Sequence, residues 1–244
     1  MNRTEATLIG MLYTDGCLSP KYKNSWRFYF SNKSERLVAI FRDCMMQVFG
    51  LPSSRVLIGK TNDGLYRAIV NSKEIGNAVT QRFGTFRTLR YKSGQFPKAR
   101  LPVEELLQYN VAKDFLRAAF SCDGGVSLYV AHDKNDRTRA LIRGVYLACV
   151  HPVLRAQYCE LLAALDIKSR NIAGDGRIKI YTQEDVRIFH RKVGFLGGVH
   201  VTHTSRFWPS IEKQKLLEKV VQSYDEPPSN IYSLPLFDRK EIMI

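Results

Sequence analysis

The hydrophobic and polar positions of this chain predict one succession of helices and strands, which occurs twice. In the first copy, a mostly apolar helical stretch, LIGMLYTDG over residues 8–16, precedes an alternating segment from Trp26 to Ser31. A helical run from Glu35 to Phe49, two short strands and a helix from Lys73 to Phe83 follow. A period of two is typical of strands with one buried face, and a spacing of three to four is typical of helices. We therefore expect the order α-β-β-α-β-β-α.

The second copy has the same order. It opens with LRAAFSCDG over residues 116–124 and continues with a strand from Arg143 to Cys149 and a helical run from Pro152 to Leu165. The polar segment from His132 to Arg139 predicts a longer hairpin loop. The predicted fold class is α+β, with a first half at residues 1–83, a basic connector at 84–109, a second half at 110–224 and a C-terminal tail at 225–244. The tail has no clear periodicity and is expected to be an extended arm.

The charge of the chain indicates its partner. The 37 Lys and Arg exceed the 23 Asp and Glu and give a net charge of +14, so a polyanion is expected, either nucleic acid or an anionic membrane surface. The basic residues lie in predicted strands and loops rather than in an amphipathic helix, which favours nucleic acid and argues against a membrane. No long apolar run and no signal core occur, so we expect a soluble intracellular protein of a prokaryotic cytoplasm or an organelle. The five cysteines include no CxxC pair, which argues against a disulfide framework or a zinc ribbon.

Both apolar helices end in Asp-Gly and carry small residues four positions apart. The pairs are Gly10 with Thr14 and Ala118 with Cys122. This spacing places each pair on one helix face, where the two helices can approach closely. One helix that ends in Asp-Gly is common, because glycine often terminates helices, but two equivalent copies indicate a shared function.

Close packing of these helices would bring Asp15 and Asp123 side by side. The C-terminal end of a helix carries partial negative charge, and two neighbouring carboxylates repel each other. A hard divalent cation such as Mg²⁺ relieves both conflicts. Paired acids that hold a metal beside a polyanion indicate metal-assisted phosphodiester hydrolysis.

The segments LIGMLYTDG and LRAAFSCDG resemble the two copies of the LAGLIDADG motif in single-chain homing endonucleases. The likeness extends over residues 4–220. The second copy departs from the motif at Arg117 and Phe120 but keeps the small residues and the final Asp-Gly. The resemblance implies two αββαββα halves related by a pseudo-twofold axis, with the motif helices at their interface and two four-stranded antiparallel sheets that form a DNA-binding saddle.

The resemblance also implies roles for individual residues. Asp15 and Asp123 would bind Mg²⁺, or Ca²⁺ or Mn²⁺ in its place, at the scissile phosphates. The backbone carbonyls of Thr14 and Cys122 would be further metal ligands. Asn32 matches a polar catalytic position near the metals.

Basic catalytic side chains are harder to match. Arg90 follows the last helix of the first half, where the family often has a lysine, and we expect it to act in catalysis. In the second half, Ala148 replaces the polar position. His200, His203 and Arg206 fit the basic position only loosely, and a plain surface location is the alternative for them.

Alternation in the predicted strands indicates one packed and one open polar face on each sheet. Arginine and lysine on an open face can reach guanine edges or phosphates, and a solvated face is the alternative for any single residue. The pattern leaves open which face of the strand from Leu141 to Leu147 is buried. The residues that we expect to contact DNA are Lys21, Lys23, Arg27, Tyr29, Ser31, Arg67, Ser127, Tyr129, Arg177, Lys179 and Tyr181. The connector between Gly84 and Val103 carries five basic residues and no acid, and we expect it to follow the DNA backbone.

Together these features predict a monomeric, metal-dependent endonuclease that cuts both strands of a long, asymmetric DNA site. The resemblance implies short 3′ overhangs and an intron-encoded origin. Two alternatives remain open: an intron RNA maturase, with RNA as its partner, and a DNA-binding protein of the same fold that does not cleave.

Overall fold

The computed structural model describes residues 1–21, 25–132, 139–225 and 236–238. Lys23, most of the predicted hairpin loop after His132 and most of the tail lie outside the described residues.

The first half folds in the predicted order. It comprises α1 (Arg3–Leu12), β1 (Gly16–Lys21), β2 (Ser25–Asn32), α2 (Glu35–Phe49), β3 (Leu57–Lys60), β4 (Tyr66–Asn71) and α3 (Lys73–Phe83). The four strands form an antiparallel sheet in the order β1-β2-β4-β3.

Local sequence signals set the ends of the helices in this half. Ser34 accepts a hydrogen bond from the backbone N–H of Leu37 at the start of α2, and Ser72 accepts one from Ile75 at the start of α3. Gly50 ends α2 in the left-handed conformation, with a φ of 62°. Capping hydroxyls and a terminal glycine satisfy backbone groups that a helix end leaves unpaired. The chain therefore turns back to the sheet at defined points.

The second half repeats this order after a short helix in the connector. The elements are α4 (Val103–Gln108), α5 (Ala112–Asp123), β5 (Gly124–His132), β6 (Arg139–Ala148), α6 (Pro152–Ala163), β7 (Arg170–Ile172), β8 (Arg177–Ile180), α7 (Gln183–Lys192), α8 (Lys213–Asp225) and β9 (Leu236–Asp238). The strands form a sheet in the order β7-β8-β6-β5-β9.

Three of these elements go beyond the sequence prediction. The helix α4 lies inside the predicted connector, and α8 follows the last helix that the periodicity indicates. The strand β9 comes from the tail and pairs in parallel with β5. The second sheet therefore gains a fifth strand at the edge of the four antiparallel strands that the repeat predicts.

Each sheet buries one face against helices. In the first half, Phe28 and Phe30 of β2 are fully buried, and the rings of Phe30 and Phe41 stack with their centroids 5.0 Å apart. In the second half, Leu147 of β6 and Ile178 and Ile180 of β8 are fully buried. These contacts fix which face of each sheet is left for a ligand.

The connector packs against the first helix instead of running freely through solvent. Phe86 and Leu101 are buried. The hydroxyl of Tyr13 lies within hydrogen-bond distance of the backbone oxygen of Phe83, at the end of α3, and of that of Arg100 in the connector. Among the helices of the described residues, none is both long and apolar enough to cross a membrane.

Candidate functional site

Glycine at position 10 lets α1 and α5 cross closely. A β-carbon on Gly10 would lie 2.6 Å from the backbone oxygen of Phe115 and 3.1 Å from the β-carbon of Ala118. Such distances are below van der Waals contact, so a larger residue would push the two helices apart. The structure thus brings the small residues of the two helices together, as the sequence predicts.

This crossing brings Asp15 and Asp123 within electrostatic reach of each other. Burial first, and then the negative charge of Asp15, raise the pKa of Asp123 from its usual 3.8 to about 7. Burial also raises the pKa of Asp15. A hydrogen bond from Asn32, the positive charge of Lys213 and a hydrogen bond from Cys122 oppose this second rise. Two half-buried carboxylates that disfavour each other's ionisation form a site in which a cation is stabilising.

Asn32 is held directly against the first acid. Its Nδ2 donates to Asp15 Oδ2 at 2.7 Å, and its Oδ1 accepts a hydrogen bond from the backbone N–H of Ser34 at 2.7 Å. Both ends of the amide are therefore fixed where β2 meets α2. The structure places the predicted polar residue at the acid pair.

The strand register corrects the second-half counterpart of Asn32. Phe30 and Leu147 are equivalent, because each pairs with the glycine that follows a motif aspartate. Asn32 lies two residues after Phe30, so its counterpart is Cys149 and not Ala148. The sequence comparison of the two halves places this position one residue too early, because paired residues of β5 and β6 are further apart in sequence than those of β1 and β2.

Cys149 provides a different neighbour for the second acid. Its Sγ donates to the backbone oxygen of His151 at 3.7 Å. Burial raises the pKa of this thiol to about 11, and the negative charge of Asp123 acts in the same direction. Cys149 thus lies near Asp123, but its hydrogen bond is directed elsewhere.

Lys213 is the cation of the site, and the sequence prediction missed it. It is the first residue of α8 and is buried, and its Nζ donates to the backbone oxygens of Ser121 and Gly124 at 2.7 Å each. Burial lowers the pKa of Lys213, while the negative charges of Asp15 and Asp123 raise it. A single buried ammonium therefore lies beside both carboxylates.

A signal for this lysine exists in the sequence. Lys213 shares one helical face with Leu216, Leu217 and Val220, all of them buried. Lysine is rarely buried without a partner of opposite charge. A lysine at an apolar position of an amphipathic helix therefore indicates a nearby acid.

The contacts of Arg90 lie in the connector and the second half. Its guanidinium lies 4.6 Å from the ring centroid of Phe96, and it lines a cleft together with Val150 and Gly174 of the second half. The catalytic role of Arg90 stays a prediction.

The loosely matched basic residues of the second half are exposed. His200 is exposed, with its Nδ1 2.9 Å from the backbone oxygen of Gly198, and His203 is exposed. The guanidinium of Arg206 lies 5.5 Å from the ring centroid of Phe207. Lys213, which follows these residues in the chain, is the basic residue whose pKa both acids raise.

Thr14 and Cys122 lie where the two helices end. Thr14 Oγ1 is 3.1 Å from the backbone oxygen of Gly10 and 3.0 Å from that of Met11. The Cys122 thiol donates to Asp15 across the interface, and burial raises the pKa of this thiol. Their side chains therefore stabilise the seam, which is the interface between α1 and α5. The metal-binding role of their backbone carbonyls stays a prediction.

The open face of the first sheet carries arginines that are held at their Nε atoms. Arg27 Nε donates to Asn71 Oδ1 at 3.2 Å, and Arg67 Nε donates to Ser31 Oγ at 2.7 Å. The Arg67 guanidinium also lies 5.7 Å from the ring centroid of Tyr29. The strand register puts these residues on the face opposite the buried phenylalanines. The predicted contact residues of β2 and β4 thus share one surface.

The open face of the second sheet carries arginines stacked on tyrosines. The Arg177 guanidinium lies 5.2 Å from the ring centroid of Tyr146, and that of Arg170 lies 5.0 Å from the ring centroid of Tyr181. Tyr146 of β6 and Arg177 of β8 lie on adjacent strands. Two predicted contact residues, Arg177 and Tyr181, are therefore part of this surface.

The other predicted contact residues have mixed surroundings. Lys21 is exposed at the end of β1, and Ser127 is half-buried in β5. Lys179 forms an exposed ion pair of 2.8 Å with an aspartate of the β7–β8 turn. The ring of Tyr129 stacks on that of Phe207 at a centroid distance of 4.9 Å, so a loop that precedes α8 covers part of this position.

The structure also settles the orientation of β6. The Nη1 of Arg143 donates to the backbone oxygen of Ser223 in α8 at 2.8 Å, so Arg143 faces the helices. Its paired neighbour Leu128 is buried on the same side. The helix-facing residues of β6 are therefore Leu141, Arg143, Val145 and Leu147.

The acid pair has few protein ligands to offer. In the part of the chain that the structure describes, no group of three or more His, Cys, Asp or Glu side chains is arranged to hold a metal ion. A cation at Asp15 and Asp123 would therefore complete its coordination with backbone oxygens, water or a bound ligand. Mg²⁺ is bound in this way in many phosphate-processing sites, where it keeps several waters and substrate oxygens.

The whole arrangement is similar to solved structures, whereas the sequence matches no family model and no curated protein. A point variant of I-DmoI in complex with its target DNA in the presence of magnesium has a TM-score of 0.51 and 15% identity, over 78% of this chain and 95% of that one. A point variant of I-SmaMI has a TM-score of 0.50 and 10% identity, over 93% of this chain and 92% of that one. Full-length DUF199/WhiA from Thermatoga maritima has a TM-score of 0.50 and 14% identity, over 91% of this chain and 61% of that one. At these identities the likeness shows the fold alone.

Proposed function

We propose that this chain, which has the two-motif LAGLIDADG fold, is a site-specific endonuclease that cuts double-stranded DNA with the help of a divalent cation. One observation carries the proposal. Two carboxylates from separate halves of the chain meet beside a buried lysine, and each carboxylate directly precedes the first strand of a sheet whose open face bears arginines.

The donor set fits a hard divalent cation. Asp15 and Asp123 offer carboxylate oxygens whose mutual repulsion a cation would remove, and the carbonyls of Thr14 and Cys122 are the further candidate ligands. A bound Mg²⁺ supplies Lewis-acid stabilisation of the charge that develops on a phosphate and lowers the pKa of water. Solved structures of I-DmoI with DNA in the presence of Mn, Mg or Ca support the choice of a divalent cation.

The protein's own groups have separate tasks in this proposal. Asn32 fixes the orientation of Asp15 through its 2.7 Å hydrogen bond. Lys213 supplies a fixed positive charge to the reaction centre, where charge on a phosphate grows as the bond breaks. Its contacts to the backbone of the α5–β5 junction hold this charge in place before DNA binds.

The two halves account for the proposed form of the product and the target. One acid from each half at one centre suits a cut in each DNA strand, and a single chain supplies both, which supports a monomer. Different side chains on the two sheet faces suit a long, asymmetric target. Short 3′ overhangs and an intron-encoded origin follow from the likeness of the motifs to those of homing endonucleases.

The proposal is tested by incubating the protein with a randomised duplex library and Mg²⁺, and by sequencing the cut ends. We expect one long asymmetric site, cut on both strands with short 3′ overhangs, and no cutting in EDTA. Binding of a duplex without cutting would contradict the nuclease and favour a non-cleaving DNA-binding protein. Preferential binding of a structured intron RNA over every duplex would favour a maturase.

A further inference from the structure

An arginine stacked on a tyrosine occurs at the same place in both halves. Tyr29 immediately precedes Phe30 in β2, and Tyr146 immediately precedes the equivalent Leu147 in β6. The arginine lies on the neighbouring strand in each case, and its guanidinium is 5.7 Å from the tyrosine centroid for Arg67 in the first half. In the second half, the corresponding distance for Arg177 is 5.2 Å.

The strand pairing makes the two arginines equivalent as well. Arg67 pairs with Ser31, the residue after Phe30, and Arg177 pairs with Ala148, the residue after Leu147. In each half, the arginine therefore pairs with the residue that follows the partner of the motif glycine. The two guanidinium groups occupy matching positions on either side of the seam.

Neighbouring positions of the two faces have diverged. Arg27 lies two residues before Tyr29, and its counterpart is Gly144. A β-carbon on Gly144 would lie 2.5 Å from the backbone oxygen of Ile180, so no side chain fits there without a shift of the backbone. The two halves thus differ at this position and share the arginine–tyrosine pair.

The placement of the pair favours contact with base edges over contact with phosphates. Arg67 and Arg177 lie on inner strands of their sheets, β4 and β8, which would face the floor of a groove. An arginine held over an aromatic ring loses little freedom on binding, and its planar fork matches a guanine edge with two hydrogen bonds. For Arg67 the hydrogen bond to Ser31 uses Nε and leaves both terminal nitrogens available for such a contact.

We infer that Arg67 and Arg177 each read one guanine, on opposite strands and at equal distances from the centre of the target. The inference rests on the proposed binding of duplex DNA. It adds a specific feature to that proposal: an otherwise asymmetric target contains one palindromic pair of G·C positions. Arg27 has no counterpart in the second half, where Gly144 takes its place, and it therefore contacts the first half-site alone.

The test is a binding selection with a randomised duplex library and Ca²⁺, in which the bound duplexes are sequenced. The wild-type protein is compared with Arg67→Ala and Arg177→Ala. The control is Arg42→Ala, which removes an exposed helix arginine whose partner is the adjacent Asp43. If an alanine variant does not fold, Arg67→Gln and Arg177→Gln replace it.

We expect the wild-type site to contain two guanines related by the centre of the site. Arg67→Ala relaxes the preference at one of them and Arg177→Ala at the other, each with a loss of affinity for the guanine-containing site of roughly 10- to 100-fold. The control variant leaves both preferences intact. An equal loss of affinity for all sequences would show a phosphate contact and overturn the inference, as would guanine positions at unequal distances from the centre.

The guanine preferences and the proposed nuclease activity can fail independently of each other. If the selected site binds but Mg²⁺ produces no cut, the nuclease proposal fails, while the guanine preferences are still read from binding. If cutting occurs and neither variant changes a guanine preference, the nuclease proposal stands and this inference fails. If the wild-type protein enriches no duplex, both fail.

Discussion

Asp123 lies in an environment that disfavours its ionised form. Burial and the charge of Asp15 give Asp123 a pKa of about 7, well above its usual 3.8. The folded chain therefore binds the Asp123 proton more tightly than the unfolded chain does. The stability that this proton provides is fully present below about pH 4 and is lost as the pH rises through 7.

Asp123→Asn should therefore stabilise the protein without metal. In EDTA at about pH 8, we expect its free energy of unfolding to exceed that of the wild type by ~1–3 kcal/mol, because the variant buries no second negative charge. The difference should shrink at about pH 5. Urea denaturation at both pH values measures it, and a variant that is less stable at the higher pH would contradict the account of Asp123.

Lys213 should be needed for cutting but not for recognition. We expect Lys213→Met to reduce the cleavage rate by roughly 100-fold or more, because a fixed positive charge beside the developing phosphate charge is lost. Affinity for duplex DNA should change little, because the lysine is buried. Single-turnover cleavage and fluorescence anisotropy separate the two effects.

Lys215→Met is the matched control for this experiment. Lys215 lies in the same helix and its side chain is 70% exposed. The Lys215→Met variant should cleave DNA at nearly the wild-type rate. Equal losses in the two variants, or full activity of Lys213→Met, would remove Lys213 from the reaction centre.

At the residue scale, the acids and Asn32 are predictable and Lys213 is missed. The acids end two helices with the same pattern, and Asn32 ends a strand next to an obvious helix start. Lys213 belongs to a helix that the repeat does not contain. Its partners are backbone oxygens and acids from distant parts of the chain, which no local pattern reveals.

At the element scale, the crossing of α1 and α5 determines whether the acids meet. The backbone of Phe115 leaves no room for a side chain at Gly10. The packing of the two helices at this contact therefore controls the geometry of the acid pair.

Gly10→Ala should weaken both the fold and the activity. The added methyl group meets a backbone oxygen at 2.6 Å, and we expect a loss of ~1–3 kcal/mol in the free energy of unfolding. Cleavage should fall more than DNA binding does. Gly197→Ala is the control, because nothing lies within 4 Å of its β-carbon position. A Gly10→Ala variant with wild-type stability would mean that the helices do not cross as described.

Helices and strands with a clear hydrophobic period can be predicted from the sequence, whereas the register of paired strands cannot. The helices and strands of both halves are predicted by local spacing. The sequence comparison gives Ala148 as the counterpart of Asn32, and the strand pairing gives Cys149. The number of residues between two paired strands cannot be read from local spacing. The face of β6 is also ambiguous, because Arg143 points toward the helices and stacks on Tyr224 at 4.2 Å. Parallel pairing of β9 with β5 joins distant segments and has no local signal.

At the scale of the whole molecule, the charge of +14 should make DNA binding strongly dependent on salt. Each neutralised phosphate releases counterions, so affinity falls steeply as salt rises. We expect a drop of roughly 10³-fold or more between about 50 and about 200 mM salt. Anisotropy titrations with the selected duplex measure the slope, and a nearly flat dependence would argue against a binding surface formed by the two basic sheet faces.

The most direct measurement is the cleavage rate of Asp15→Asn and Asp123→Asn on the selected duplex with Mg²⁺, together with their affinity for that duplex. The control is Asp43→Asn, which changes an exposed helix aspartate. We predict that each seam variant loses cleavage by roughly 100-fold or more and binds the duplex within a few-fold of the wild type, because the two carboxylates act together on the metal. Cleavage at the normal rate by either seam variant would contradict the joint site.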